Sequence, residues 1–142
     1  MNAPPKQAPA LLFENTAGRL LADPAGFLRL VWSANPRHLP DTQSILRATS
    51  QHLRQRGWSR LLGDQTYLAP FSPEEQQWIS QEWLPGEARA SGYRHGAILV
   101  SSQVLSRLAT AYITGGQPAS DTRYRSFDDE ATAVDWLLRQ PG

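Results

Sequence analysis

Apolar and polar residues alternate in short runs at the start of the chain, at residues 11–14, 19–22 and 27–33. Asn15-Thr16-Ala17-Gly18 and Asp23-Pro24-Ala25-Gly26 separate the runs, and both separators carry residues that favour tight turns. In the third run Leu28, Leu30 and Trp32 share one face while Arg29 points to the other, the period of a half-buried strand. Connections this short predict an antiparallel meander.

After Asn35-Pro36 the period lengthens. Asp41-Thr42 can cap a helix in which Ile45, Leu46, Thr49 and Leu53 recur at helical spacing, closed by Arg54, Arg56 and Gly57. Residues 60–64 read as a strand, and residues 72–84 as a second helix with Trp78, Ile79 and Trp83 on one stripe, ended by Pro85-Gly86. Residues 96–101 are apolar without alternation, which suits a strand covered on both faces at the centre of a sheet. Val104, Leu105, Leu108, Ala109 and Tyr112 form the apolar stripe of a third helix that Gly115-Gly116 stops. Residues 122–127 are a last strand, and Asp128 or Asp129 caps a final helix carrying Val134, Leu137 and Leu138.

Helical crossovers between strands impose parallel pairing and a right-handed turn. The expected fold is therefore α/β, a mixed sheet of about six strands packed with four helices. An N-terminal antiparallel meander leads into parallel β-α units. At 142 residues the chain suits one domain, residues 11–140, behind a disordered proline-rich tail at residues 1–10.

Fourteen basic and thirteen acidic residues nearly cancel, which gives no electrostatic case for nucleic acid. Lys6 is the only lysine among the basic residues. The chain has no cysteine, so disulfides, thiolate metal sites and thiol nucleophiles are excluded, as suits a cytoplasmic protein. No apolar run approaches the ~20 residues of a membrane-spanning helix, so integral membrane association is not expected. The start has no apolar signal core.

The element order, with a strand ending in Leu62-Gly63-Asp64 and the closing run Phe127-Asp128-Asp129-Glu130-Ala131-Thr132-Ala133-Val134-Asp135-Trp136-Leu137, resembles the STAS/SpoIIAA-like proteins, small bacterial domains related to anti-sigma-factor antagonists. The resemblance covers about residues 11–140. It implies a regulatory module that binds a protein partner, and in the antagonists a serine at a helix start is phosphorylated. Here the Asp-Ser-Ser/Gly motif around that serine is missing, and Ser72 is the nearest positional candidate. The broader group also resembles lipid-binding modules, which implies a small apolar ligand.

Candidate chemistry is sparse. Ser72-Pro73-Glu74-Glu75 is a capping box, sufficient to explain that serine structurally. Asp64, Gln65, Ser101 and Ser102 fall at the carboxyl ends of predicted parallel strands, where α/β sheets gather ligands, and could line one polar mouth for an apolar or anionic molecule. His38, His52 and His95 have no metal-binding spacing, and no nucleophile elbow or phosphate-binding glycine loop occurs. No cofactor and no enzymatic activity are expected. Core packing is the default reading of Tyr67, Phe71, Trp78 and Trp83 around the second helix, but they exceed what one buried stripe needs, and an exposed part of them would mark an interface with a protein partner or a second copy. The favoured expectation is a non-enzymatic interaction module using residues 65–71 and the second helix. Ligand binding at the strand ends and a phospho-switch at Ser72 are the alternatives.

Overall fold

A computed structural model describes residues 7–101, 103–115 and 122–141. Its six strands lie in chain order across one sheet: β1 (Ala10–Asn15), β2 (Gly18–Asp23), β3 (Phe27–Trp32), β4 (Arg60–Asp64), β5 (His95–Leu99) and β6 (Arg123–Phe127). The first three pair antiparallel, and β3 through β6 pair parallel. At Gly18, which opens β2 after the first turn, a Cβ would press on the Val31 carbonyl, so this position admits no side chain.

Helix α1 (Leu39–Arg56) links β3 to β4. Helix α2 (Pro73–Trp78) runs into a π-helical segment, Ile79–Ala88, on the way to β5, and α3 (Val104–Gly115) leads toward β6. Because every parallel step goes in the same direction, right-handed crossovers place all of these helices on one face of the sheet. Leu28, Leu30, Ile45, Leu53, Leu61 and Trp83 belong to the core between them. The last helix, α4 (Glu130–Leu138), lies on the other face over β4 to β6, the one helix there among the described residues, and buries Phe27, Leu62, Ala97, Phe127, Ala133 and Leu137. Asp129 caps it by accepting from the Ala131 and Thr132 amides, both at 3.1 Å.

Several local expectations need correction. Helix α1 is capped at His38, three residues before Asp41; Asp41 is instead the third helical residue, whose carboxylate accepts from the His38 amide at 3.0 Å. Pro85-Gly86 does not stop the second helix. Proline lacks an amide and collides with the carbonyl of the preceding α-turn, and here the helix widens to the π form and carries Pro85 inside it. Strand β5 is covered on both faces yet is not central, because only β6 lies beyond it.

Of the stripe expected on helix α3 only Ala109 faces the core. Ser106, Ala109, Thr110 and Ile113 face inward, while Val104, Leu105, Leu108 and Tyr112 are 61–68% exposed. The inward hydroxyls find acceptors: Ser106 Oγ donates to the Leu68 carbonyl at 2.7 Å and Thr110 Oγ1 to Gln65 Oε1 at 2.7 Å. Those partners lie in the β4–α2 loop, and paired hydroxyls are tolerated in a core. The helix packs on α2 and the π-helical segment, and its Ala109 and Ile113 join the core shared with the sheet.

Candidate functional site

The aromatic residues singled out from the sequence separate into two groups. Phe71 and Trp83 are core residues, 5% and 4% exposed. Phe71 meets Trp32 edge-on at 5.1 Å, and Trp83 donates its indole N–H to the Leu46 carbonyl at 3.0 Å. An exposed surface at either position is thereby corrected. Trp78 is half-buried beside the Arg47 guanidinium, and Tyr67 alone of the four stands open at 69%.

The proposed polar mouth is not assembled. Asp64 follows Leu62 onto the α4 side of the sheet, where Oδ1 accepts from the Thr66 amide (3.0 Å) and hydroxyl (2.6 Å). Gln65 points to the opposite side, toward α3. Ser101 is buried, donates to the Leu68 carbonyl and accepts from the Gln103 amide at 3.0 Å, an ordinary lead into α3. Ser102 lies outside the described residues. The rule that ligands gather at strand ends needs a point where the strand order reverses, and a sheet numbered in sequence has none.

Ser72 is exposed, and its Oγ accepts from the Glu75 amide at 3.1 Å while Glu75 Oε1 accepts from the Ser72 amide at 2.8 Å. Glu75 is buried and carries a second duty that the sequence does not announce. Its carboxylate takes two hydrogen bonds from Arg37, at 2.7 and 3.2 Å, and one from the Thr42 hydroxyl. Burial opposes ionisation of Glu75, but these bonds and the Arg37 charge outweigh it and hold the carboxyl below its ordinary value. The Arg37 guanidinium lies over the rings of Phe71 (4.8 Å) and Trp32 (5.8 Å).

Two surfaces missed by the sequence reading remain. One is the outward face of α3, an apolar stripe with Arg107 as the single charged residue of that helix. The other is a cavity of about 70 Å³ between the sheet and the helical layer, floored by Leu30, Gly63 and Ile98 and roofed by Thr110, Ile113 and Thr114 of α3. Hydroxyls four residues apart on α3 were the available signal for its inward face. Among the described residues no group of three or more histidines and carboxylates could hold a metal ion. No described helix is long and apolar enough to cross a membrane.

Set against protein-family models, curated proteins and solved structures, the chain finds no match in any of the three comparisons.

Proposed function

We propose that the chain is a non-enzymatic interaction module of the cytoplasm that acts as a homodimer through the outward face of α3. One observation carries this reading: an amphipathic helix presents its apolar side to solvent because its inward side is hydroxylic and internally satisfied. The largest exposed apolar patch on a typical monomer spans roughly 300–600 Å² and is often functional. Four large side chains, each more than 60% exposed on one helix, fill that range. They also provide much of the ~800 Å² per partner that a standard interface buries.

A second copy suits this face better than a charged partner. Val104, Leu108 and Tyr112 recur every fourth residue, a row that packs against its own image about a two-fold axis. No carboxylate lies on α3 to select a basic partner. The element order that resembles STAS/SpoIIAA-like domains supports the same regulatory reading, with the contact surface moved from the second helix to the third.

The test is light scattering on the wild type and on Leu108→Asp, whose side chain is exposed, so that the fold is spared. The wild type is expected at twice the chain mass and the variant at the chain mass, with unchanged circular dichroism. A monomeric wild type at high micromolar concentration sinks the proposal.

A further inference from the structure

We infer that the cavity under α3 is a binding site for a small uncharged molecule, mainly apolar, with one hydrogen-bonding group. The argument starts from a row of side chains across the sheet. Leu20, Leu30, Gly63 and Ile98 stand in register on the helix-facing side of β2 to β5. Three are large and apolar; the third in line has no side chain. A Cβ built on Gly63 meets nothing nearer than the Ala97 carbonyl oxygen at 3.9 Å, so the missing side chain leaves room that no neighbour takes up.

A second glycine on the same face shows the alternative. At Gly96 a Cβ would run into the Tyr93 hydroxyl and approach Tyr124 Cδ1 to 2.8 Å, so that glycine makes space for two aromatic rings. One strand away, the space at Gly63 stays open. Natural cores are packed as closely as organic crystals, and a void costs stability in proportion to its volume, so a persistent apolar void beside an unfilled glycine calls for an occupant.

The lining sets the chemistry of that occupant. None of the residues that line the cavity is charged, so a carboxylate or ammonium would enter without a counter-ion. Gln65 is 7% exposed and spends one end of its carboxamide on the Thr110 hydroxyl. The other end makes no hydrogen bond among the described residues, and the residue lines the cavity. It supplies one polar anchor within an apolar chamber, the usual composition of a small-molecule site. Above it α3 packs on α2 and the π-helical segment and adds Thr110, Ile113 and Thr114 to the lining.

The probe is benzyl alcohol, followed by NMR through the indole N–H signals of Trp32 and Trp83 and the methyls of Ile98 and Ile113, with benzoate as the charged counterpart. Benzyl alcohol is expected to give saturable shifts at these four residues, and benzoate to bind at least tenfold more weakly. Gly63→Val, which places a strand-favouring side chain in the open position, is expected to abolish binding without lowering the melting temperature. Gly63→Ala gives the same readout with a smaller group, should valine disturb the fold. The inference is overturned by the absence of saturable shifts, by equal binding of benzoate, or by undiminished binding in the folded Gly63 variants.

Discussion

Arg37 and Glu75, thirty-eight residues apart, form an ion pair at 2.7 Å with both side chains almost wholly buried. The pair ties the loop before α1 to the first turn of α2, and the rings of Trp32 and Phe71 flank the guanidinium. Leaving either charge buried alone costs about 3–5 kcal/mol. Arg37→Met and Glu75→Gln are each expected to lose that much in urea unfolding, and the double variant Arg37→Met/Glu75→Met to recover part of it. Equal and additive losses would show the two charges to be independent.

The same pair sets an acid limit. The Glu75 carboxyl ionises at lower pH in the folded protein than in the unfolded chain, so the unfolded state binds the extra proton first as pH falls. Its contribution is complete above the ordinary glutamate value of about 4.3 and is lost as pH drops through the folded value. Wild-type stability is expected to fall on acidification below that point more steeply than in Glu75→Gln, as read by denaturant midpoints across pH.

His95 acts in a higher window. Burial first, then the charges of Arg123, Arg60 and Arg94, keep its imidazole below the usual histidine range, and its ring meets Trp136 edge-on at 6.3 Å. Protonation therefore favours the unfolded chain, and stability is lost as pH falls through about 6.5 toward the folded value. A melting temperature that declines between neutral pH and that range, and a flatter profile in His95→Gln, is the expected pair of results.

Trp83→Ala is expected to lower stability by about 3–5 kcal/mol, because it empties a core position and removes the indole N–H that donates to the Leu46 carbonyl. A loss of oligomer in that variant would report unfolding. Leu108→Asp, on the open side of α3, is expected to leave the thermal midpoint within a few degrees of wild type, and calorimetry on both separates core from contact surface.

Ser72→Ala should cost about 1 kcal/mol, the usual worth of an N-cap oxygen, and Ser72→Asp should retain most of it because a carboxylate caps equally well. Chemical denaturation of the three chains decides whether the serine acts as a cap. Equal stability of the alanine variant would remove the structural explanation.

The order of strands and helices was legible because each element carries its own period: two in residues 27–32, near 3.6 in residues 45–53, and none in the doubly covered β5. Orientation about an element's axis was less legible. The rule that an apolar stripe faces the core put Leu108 inside, and the polar side of α3 went inward instead because Leu68 and Gln65, 38 and 45 residues before the hydroxyls they pair with, supply its acceptors. No local pattern encodes that pairing. Gly63 read as part of a strand end, and the room beside it depends on what Leu30 and Ile98 leave unfilled. Nothing local to Arg37 marks it out; its role comes from a glutamate brought to it by the fold.

The numbering of the sheet has a consequence for how the protein comes into being. Every strand pairs with its immediate predecessor, so none must hold an edge open for a segment not yet made. Loop closure then involves only neighbouring units, which keeps the entropic barrier to each step small. The sheet can grow from the β1–β2–β3 meander outward, one β-α unit at a time, while the chain is still being synthesised. Pulsed hydrogen exchange is expected to show protection in the first three strands before β6, and simultaneous protection of all six would mean that the sheet closes as a single event.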